Sequence, residues 1–133
     1  LPLYRGQVSS VSYDDEQDVN SYAMCAARVT LLRLLLNGES FPVMTFNIRY
    51  DNPADGANQW PNRAHLVLET IATVQPAALA IQEALPHQLQ RVLNRFPSFR
   101  PVGETRSGDG QGEFSGLLID VSVLEVLGSG QVW

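Results

Sequence analysis

Pro42-Val43-Met44-Thr45-Phe46-Asn47-Ile48 and, further along, Ala77-Ala78-Leu79-Ala80-Ile81 followed at once by Gln82-Glu83 are the two stretches on which the fold turns. The first is a short, partly β-branched apolar run and reads as a buried strand; the second reads the same way. Between them, Asp51 to Asn62 is rich in Asn, Asp, Gly and Pro, which is loop chemistry. Pro61 suits the first turn of a helix. Ala64, Val67, Leu68, Ile71 and Val74 then recur on one helical face, and Pro76 closes it. Strand, helix and strand in that order make a βαβ unit, so the expected class is α/β.

The pattern continues outward from this unit. Pro86 opens a second helix with Leu89, Val92, Leu93 and Phe96 on one side, and Phe99 to Gly103 reads as a third strand. Ser107 to Gly112 is glycine-rich and reads as a loop. Phe114 to Ile119 and Val121 to Leu127 are strand candidates parted by a turn near Asp120, an antiparallel return. Residues 1–40 differ from this pattern and are read as an extension of unknown origin, partly helical. Asp14, Asp15, Glu16 and Asp18 form an acidic cluster of the kind found in solvated loops. Ala23 to Leu36 is a dense apolar run broken by Arg28 and Arg33 and closed by Asn37-Gly38, which predicts a helix with a stop signal. The apolar region of a leader peptide is the alternative if translation begins at Met24.

At 133 residues the chain is long enough for one domain with a real core. An apolar share of 44% and a charged share of 17% argue against wholesale disorder. Net charge is −5, the wrong sign for a protein that grips nucleic acid through basic contacts alone. An acidic protein can still handle phosphates when a bound divalent cation inverts the local charge. All nine basic residues are arginines. The single cysteine, Cys25, excludes an internal disulfide and any cysteine-rich zinc site, and its plainest role is structural. No apolar run is long enough to span a bilayer. With no convincing signal peptide, the lone cysteine leans the expected compartment to the cytoplasm.

Two polar residues stand out by position. Asn47 lies near the end of the first strand and Glu83 just past the end of the second, where open α/β sheets bind ligands. One carboxylate and one amide oxygen make a hard-oxygen pair suited to magnesium, which keeps several waters and takes few protein ligands. On spacing alone the signal is weak, because any βαβ unit ends its strands on polar residues.

The local wording strengthens it. Met44-Thr45-Phe46-Asn47-Ile48-Arg49-Tyr50-Asp51 resembles the first motif of the endonuclease/exonuclease/phosphatase family, and Asp55-Gly56, Trp60 and Arg63 resemble the loop and helix start of its small bacterial members. Ala80-Ile81-Gln82-Glu83-Ala84 is similar to the second motif. Val102-Gly103, Arg106, Asp109-Gly110 and Gly112-Glu113-Phe114 are similar to a third, and Gly130 and Trp133 extend the likeness. The resemblance implies two packed β-sheets flanked by helices, of which residues 41–133 would be the N-terminal portion, so that the fold here is incomplete. It also implies hydrolysis of phosphoesters with Mg2+ or Mn2+. Glu83 would be the principal metal ligand and Asn47 its support at the metal or at a phosphate oxygen, both catalytic. Gln82 would be an outer partner. Arg106 and Asp109 would meet substrate; a plain surface arginine and a turn-forming aspartate are the alternatives. Asp51 also reads as a turn residue and Arg49 as a strand-end residue paired with a neighbour. His65 and His87 fit no motif and read as solvated.

The chain also departs from the family. The Asp-x-Asn pair that orients the attacking water, and the later Asp-His motif, do not follow Glu83. Asp18-Val19-Asn20, upstream of the first motif, is a coincidence of wording. Three readings follow: a metal-dependent phosphodiesterase, nuclease or phosphatase present as a fragment; an inactive remnant; or an α/β binding module. The partner of the first is a phosphoester, whether nucleic acid, nucleotide or phospholipid headgroup.

Overall fold

The computed structural model describes residues 29–36 and 39–130. Five strands, β1 (Val29–Leu36), β2 (Glu39–Asn47), β3 (Ala78–Ala84), β4 (Phe99–Thr105) and β5 (Phe114–Asp120), form one mixed sheet in the order β1-β2-β3-β5-β4. Two helices, α1 (Trp60–Val74) and α2 (Pro86–Arg95), connect β2 to β3 and β3 to β4. The α/β class is therefore observed, with an open sheet and its helices.

The βαβ unit forms as its sequence dictates. β2 and β3 pair in parallel, with Val43 opposite Ala78 and Asn47 opposite Gln82. Parallel neighbours need a crossover, and α1 supplies it. Gln75 ends α1 in the left-handed conformation (φ 49, ψ 55), with its N–H on the Ile71 carbonyl, and Pro76 prevents continuation. One face of the sheet is apolar. Met44, Phe46 and Ile48 from the β2 segment, Leu79 and Ile81 from β3 and Leu118 from β5 pack in one cluster with Trp60, Ala64, Val67, Ile71 and Val92 of the helices. Each buried Val, Leu, Ile, Phe or Met side chain among these contributes about 1.5–3 kcal/mol. The alternate positions Val43, Thr45 and Asn47, and Ala78, Ala80 and Gln82, lie on the other face and are half-buried.

Two expectations are corrected. The helix expected over Ala23 to Leu36 lies partly outside the described residues, and Val29–Leu36 is a strand, paired antiparallel with β2 from Val29 opposite Phe46 to Leu36 opposite Glu39. Leucine suits a helix, but an Asn-Gly pair between apolar runs is also a hairpin signal, and pairing with β2 decides in favour of strand. The strand expected over Val121 to Leu127 does not form. The Asp120 carboxylate accepts from Ser122 N at 3.0 Å, and its carbonyl accepts from Val123 N and Leu124 N, which turns the chain out of the sheet.

β4 and β5 approach closely where Gly103 faces Gly116, with the Phe114 ring beside both glycines. A methyl group at Gly116 would lie 2.6 Å from the Val102 carbonyl oxygen and 2.7 Å from Phe114 Cζ. Gly116→Ala is expected to lower stability by about 1–3 kcal/mol through this overlap. Urea unfolding followed by tryptophan fluorescence should show a lower midpoint with unchanged slope; an unchanged midpoint would remove the close approach as a constraint.

Candidate functional site

Parallel pairing directs the exits of β2 and β3 to the same end of the sheet. β5 runs antiparallel to β3 and starts with Phe114 opposite Ala84, so the β4–β5 loop carrying Arg106 and Asp109 lies at that end as well. Pro86 begins α2 there, directly after β3.

The two expected site residues meet. Asn47 Nδ2 donates to Glu83 Oε1 at 2.7 Å, and the backbone N–H of Tyr50 donates to Glu83 Oε2 at 3.3 Å. Asn47 Oδ1 accepts from Arg49 N at 2.9 Å. Both side chains are half-buried. The β3–β5 register shifts between Ile81 and Ala84, a bulge that re-aims Glu83 out of the regular alternation. Glu83 (φ 59) and Arg49 (φ 57) are left-handed, a conformation that costs a residue with a Cβ about 1–2 kcal/mol.

The β2 exit is held by side chains that bond to its backbone. Arg63, from α1, donates to the carbonyls of Ile48, Arg49 (2.5 Å), Tyr50 (3.4 Å) and Asn58 (2.8 Å), with its guanidinium over the Trp60 ring at 5.3 Å. Burial pushes the Arg63 guanidinium below its ordinary value, against the fields of Asp55 and Asp51. Arg49 makes a two-pronged contact to Asp55, both distances 3.1 Å, and stacks on Tyr50 at 4.3 Å. This pairing matches the structural role read for Arg49. Pro53–Asn58 forms 3-10 turns on either side of Gly56 (φ 56) and presents Asp55 to it.

Gln88 has no motif to announce it and does most to join the two exits. Fully buried, it accepts from Asp51 N (3.0 Å) and Leu85 N (3.1 Å) through Oε1 and donates from Nε2 to the Arg49 carbonyl (3.0 Å). The one available signal was its place three residues after the residue preceding α2, where a glutamine can reach back to a cap N–H. His87, read as solvated, is half-exposed yet pairs with Asp51, Nε2 to Oδ2 at 3.0 Å. Asp51, read as a turn residue, instead bonds at long range: its Oδ1 accepts from Trp60 N, at the start of α1, at 3.3 Å. His65 is exposed. Gln82 donates to Thr45 Oγ1 at 3.2 Å, within the sheet face. Arg106 and Asp109 are exposed; the Ser107 hydroxyl and Gln111 N–H bond to the Asp109 carboxylate and hold it below its usual range.

Among the described residues no group of three or more His, Cys, Asp or Glu gathers that could hold an ion. The donor set is thus one carboxylate and one amide, each with acceptor capacity left over. It fits a magnesium-type ion that fills its other positions with water and substrate oxygens, and no all-protein cage.

The fold and site define an α/β sheet with a carboxylate held by an amide at the carboxyl ends of adjacent parallel strands. No family model matches the sequence, and no curated protein does. Solved structures do. An endonuclease/exonuclease/phosphatase from Bacteroides vulgatus matches at 33% identity over 60% of this chain and 31% of its own, with a TM-score of 0.56. A functionally unknown conserved protein from Enterococcus faecalis V583 matches at 31% identity over 58% of this chain and 30% of its own, TM-score 0.53. Bacteroides thetaiotaomicron VPI-5482 mannosyl-6-phosphatase Bt3783 shares the fold at 24% identity over 60% of this chain, TM-score 0.56. About 60% of this chain therefore shares the fold of solved structures that include endonuclease/exonuclease/phosphatase proteins, and the chain spans about 30% of their length.

Two expectations follow from the polar framework. Gln88→Ala leaves two backbone amides, Asp51 and Leu85, without their acceptor, each costing about 1–3 kcal/mol if water cannot reach it, while the Arg49 carbonyl keeps its bond from Arg63. Unfolding is expected at clearly lower urea, and hydrogen exchange at the Asp51 and Leu85 amides should accelerate by more than global stability accounts for; protection unchanged at both would contradict the clamp. Asp55 is held below the usual carboxylate range, first by the Arg49 hydrogen bond. Its contact contributes stability above its unfolded value near pH 4, and that stability is lost as the pH falls below it. Asp55→Asn should flatten this part of the acid limb of a stability–pH curve; an unaltered limb would mean the pair is not coupled to folding.

Proposed function

We propose that this chain carries the cation- and phosphoryl-binding part of a metal-dependent phosphoester hydrolase. The observation that carries the reading is the 2.7 Å contact between Asn47 and Glu83 across two parallel strand ends. It brings a carboxylate and an amide together where α/β sheets bind ligands. The fold shared with the endonuclease/exonuclease/phosphatase from B. vulgatus supports the same class.

Glu83 would hold Mg2+ or Mn2+ with Asn47 beside it. When bound, such an ion polarises a phosphoryl oxygen and stabilises the leaving oxygen. The chain's own residues prepare that position. The Tyr50 N–H and Asn47 Nδ2 fix the Glu83 carboxylate, one donor to each oxygen, so it does not swing away from the strand ends. Arg63 and Gln88 hold the β2 exit loop through its carbonyls and amides, which keeps Tyr50 in place. Arg106, on the β4–β5 loop at the same end of the sheet, would meet a phosphate with its fork. Phosphomonoesters and phosphodiesters both suit this geometry, and mannosyl-6-phosphate is one phosphomonoester to include, by fold analogy with Bt3783. A cytoplasmic location stays part of the proposal; among the described residues, no helix is long and apolar enough to cross a membrane.

Calorimetric titration with Mn2+, beside hydrolysis of p-nitrophenyl phosphate and bis-p-nitrophenyl phosphate, tests the reading. The chain is expected to bind one ion, and Glu83→Gln to weaken binding by roughly tenfold or more. Any Mn2+-dependent turnover should vanish in the same variant. Equal affinity in Glu83→Gln would refute the proposal.

A further inference from the structure

Beside the strand-end site lies a second polar constellation that the reading above leaves idle. Asp51 and His87 form a carboxylate–imidazole pair, Oδ2 to Nε2 at 3.0 Å, between the β2 exit and the first turn of α2. An ionised carboxylate can only accept, so Nε2 carries the hydrogen, and Nδ1 makes no hydrogen bond among the described residues. The histidine side chain is 55% exposed and that of Asp51 25%. Such a surface pair contributes about 0–1 kcal/mol to folding. Asp51 already caps the start of α1 through its other oxygen. Stability therefore gives little account of the imidazole.

Its place is fixed by the same buried framework that builds the site. Gln88, adjacent to His87 in sequence, accepts from the backbone N–H of Asp51 and donates to the Arg49 carbonyl, and so ties the start of α2 to the loop. Asp51 directly follows Tyr50, whose N–H is bound by Glu83, and one trans peptide spans about 3.8 Å. The nearby arginines are committed elsewhere: Arg49 to Asp55, and Arg63 to four backbone carbonyls. A phosphate brought to Glu83 meets the negative charges of Glu83 and Asp51, and donors on the β2 side of the site would complement the metal ion and Arg106. In its charged form His87 can donate from both nitrogens, Nε2 to Asp51 and Nδ1 to a ligand.

We propose that His87, oriented by Asp51, is a phosphoryl-oxygen contact of the Glu83 site. The inference rests on the phosphoester reading, and it assigns the pair a substrate-binding role rather than a structural one. A carboxylate that orients a histidine for contact with a ligand is the arrangement seen wherever a third group positions a base.

The chain has only two histidines, so their ring Cε1–H signals can be followed separately by NMR in the full 133-residue protein. With Mg2+ present and the pH fixed, inorganic phosphate is added. Saturable movement of the His87 signal, with His65 unmoved, is the expected result. In Asp51→Asn the phosphate affinity should fall about fivefold, the weight of one exposed charged pair. His87→Ala, a half-exposed position, should cause a similar loss read on the Tyr50 amide, and serves if Asp51→Asn does not fold. A silent His87 while the Tyr50 and Glu83 amides respond overturns the inference and leaves the phosphoester reading standing. Equal movement of both histidines overturns it as nonspecific anion binding. No response to Mg2+ or phosphate anywhere overturns both.

Discussion

The parallel pairing of β2 with β3 is the constraint on which the rest depends. A parallel pair cannot be closed by a tight turn, so the chain must leave β2, cross the sheet as a helix and return. Both strands then end on the same side, and Asn47 and Gln82 fall opposite one another. A one-residue bulge after Ile81 carries Glu83 beyond this register and toward Asn47. Had the strands been antiparallel, the two residues would lie at opposite ends of the sheet. The meeting of a carboxylate with an amide is therefore a consequence of topology before it is one of side-chain choice.

What topology brings together, polar side chains hold. The apolar core beneath the sheet is made of alternating positions of β2 and β3 and one stripe of each helix, and it stops at the strand ends. Beyond it the loop from Arg49 to Asn58 contributes no residue to that cluster. Its carbonyls go to Arg63 and Gln88, and its amides to Glu83, Gln88 and Asn47. Arg49 and Glu83 stay left-handed within this net, a local cost of about 1–2 kcal/mol each that the surrounding contacts offset. Strain of this kind concentrates where geometry serves a ligand.

The elements with strong punctuation were legible in the sequence. Pro61, Pro76 and Pro86 mark helix limits, and the apolar stripe of α1 is visible at helical spacing. Asn47 and Glu83 stood out because each ends an apolar run, and structure brings them into contact. Other features were hidden for physical reasons. The leucine-rich run ending at Leu36 carries no period that separates helix from strand, so only its pairing with β2 decides. Val121 to Leu127 has strand composition, but Asp120 turns the chain before a partner is met. Gln88 and the Asp51–His87 pair depend on contacts between residues more than thirty-five positions apart, with |i−j| of 37 and 36, which spacing along the chain does not encode. Arg63 was noticed through the family resemblance, yet its role as a carbonyl clamp follows only from the fold.

The central claim is that the strand ends of β2 and β3 bind a divalent cation through Glu83. Paramagnetic broadening of backbone amide signals by substoichiometric Mn2+ tests it most directly, because broadening falls off steeply with distance from the ion. Amides of Asn47 to Asp51 and Gln82 to Gln88 are expected to broaden first, while those of Ala77, Ser98 and Asp120 at the other end of the sheet persist. Broadening centred on Asp120, or spread evenly over the acidic surface, would contradict it.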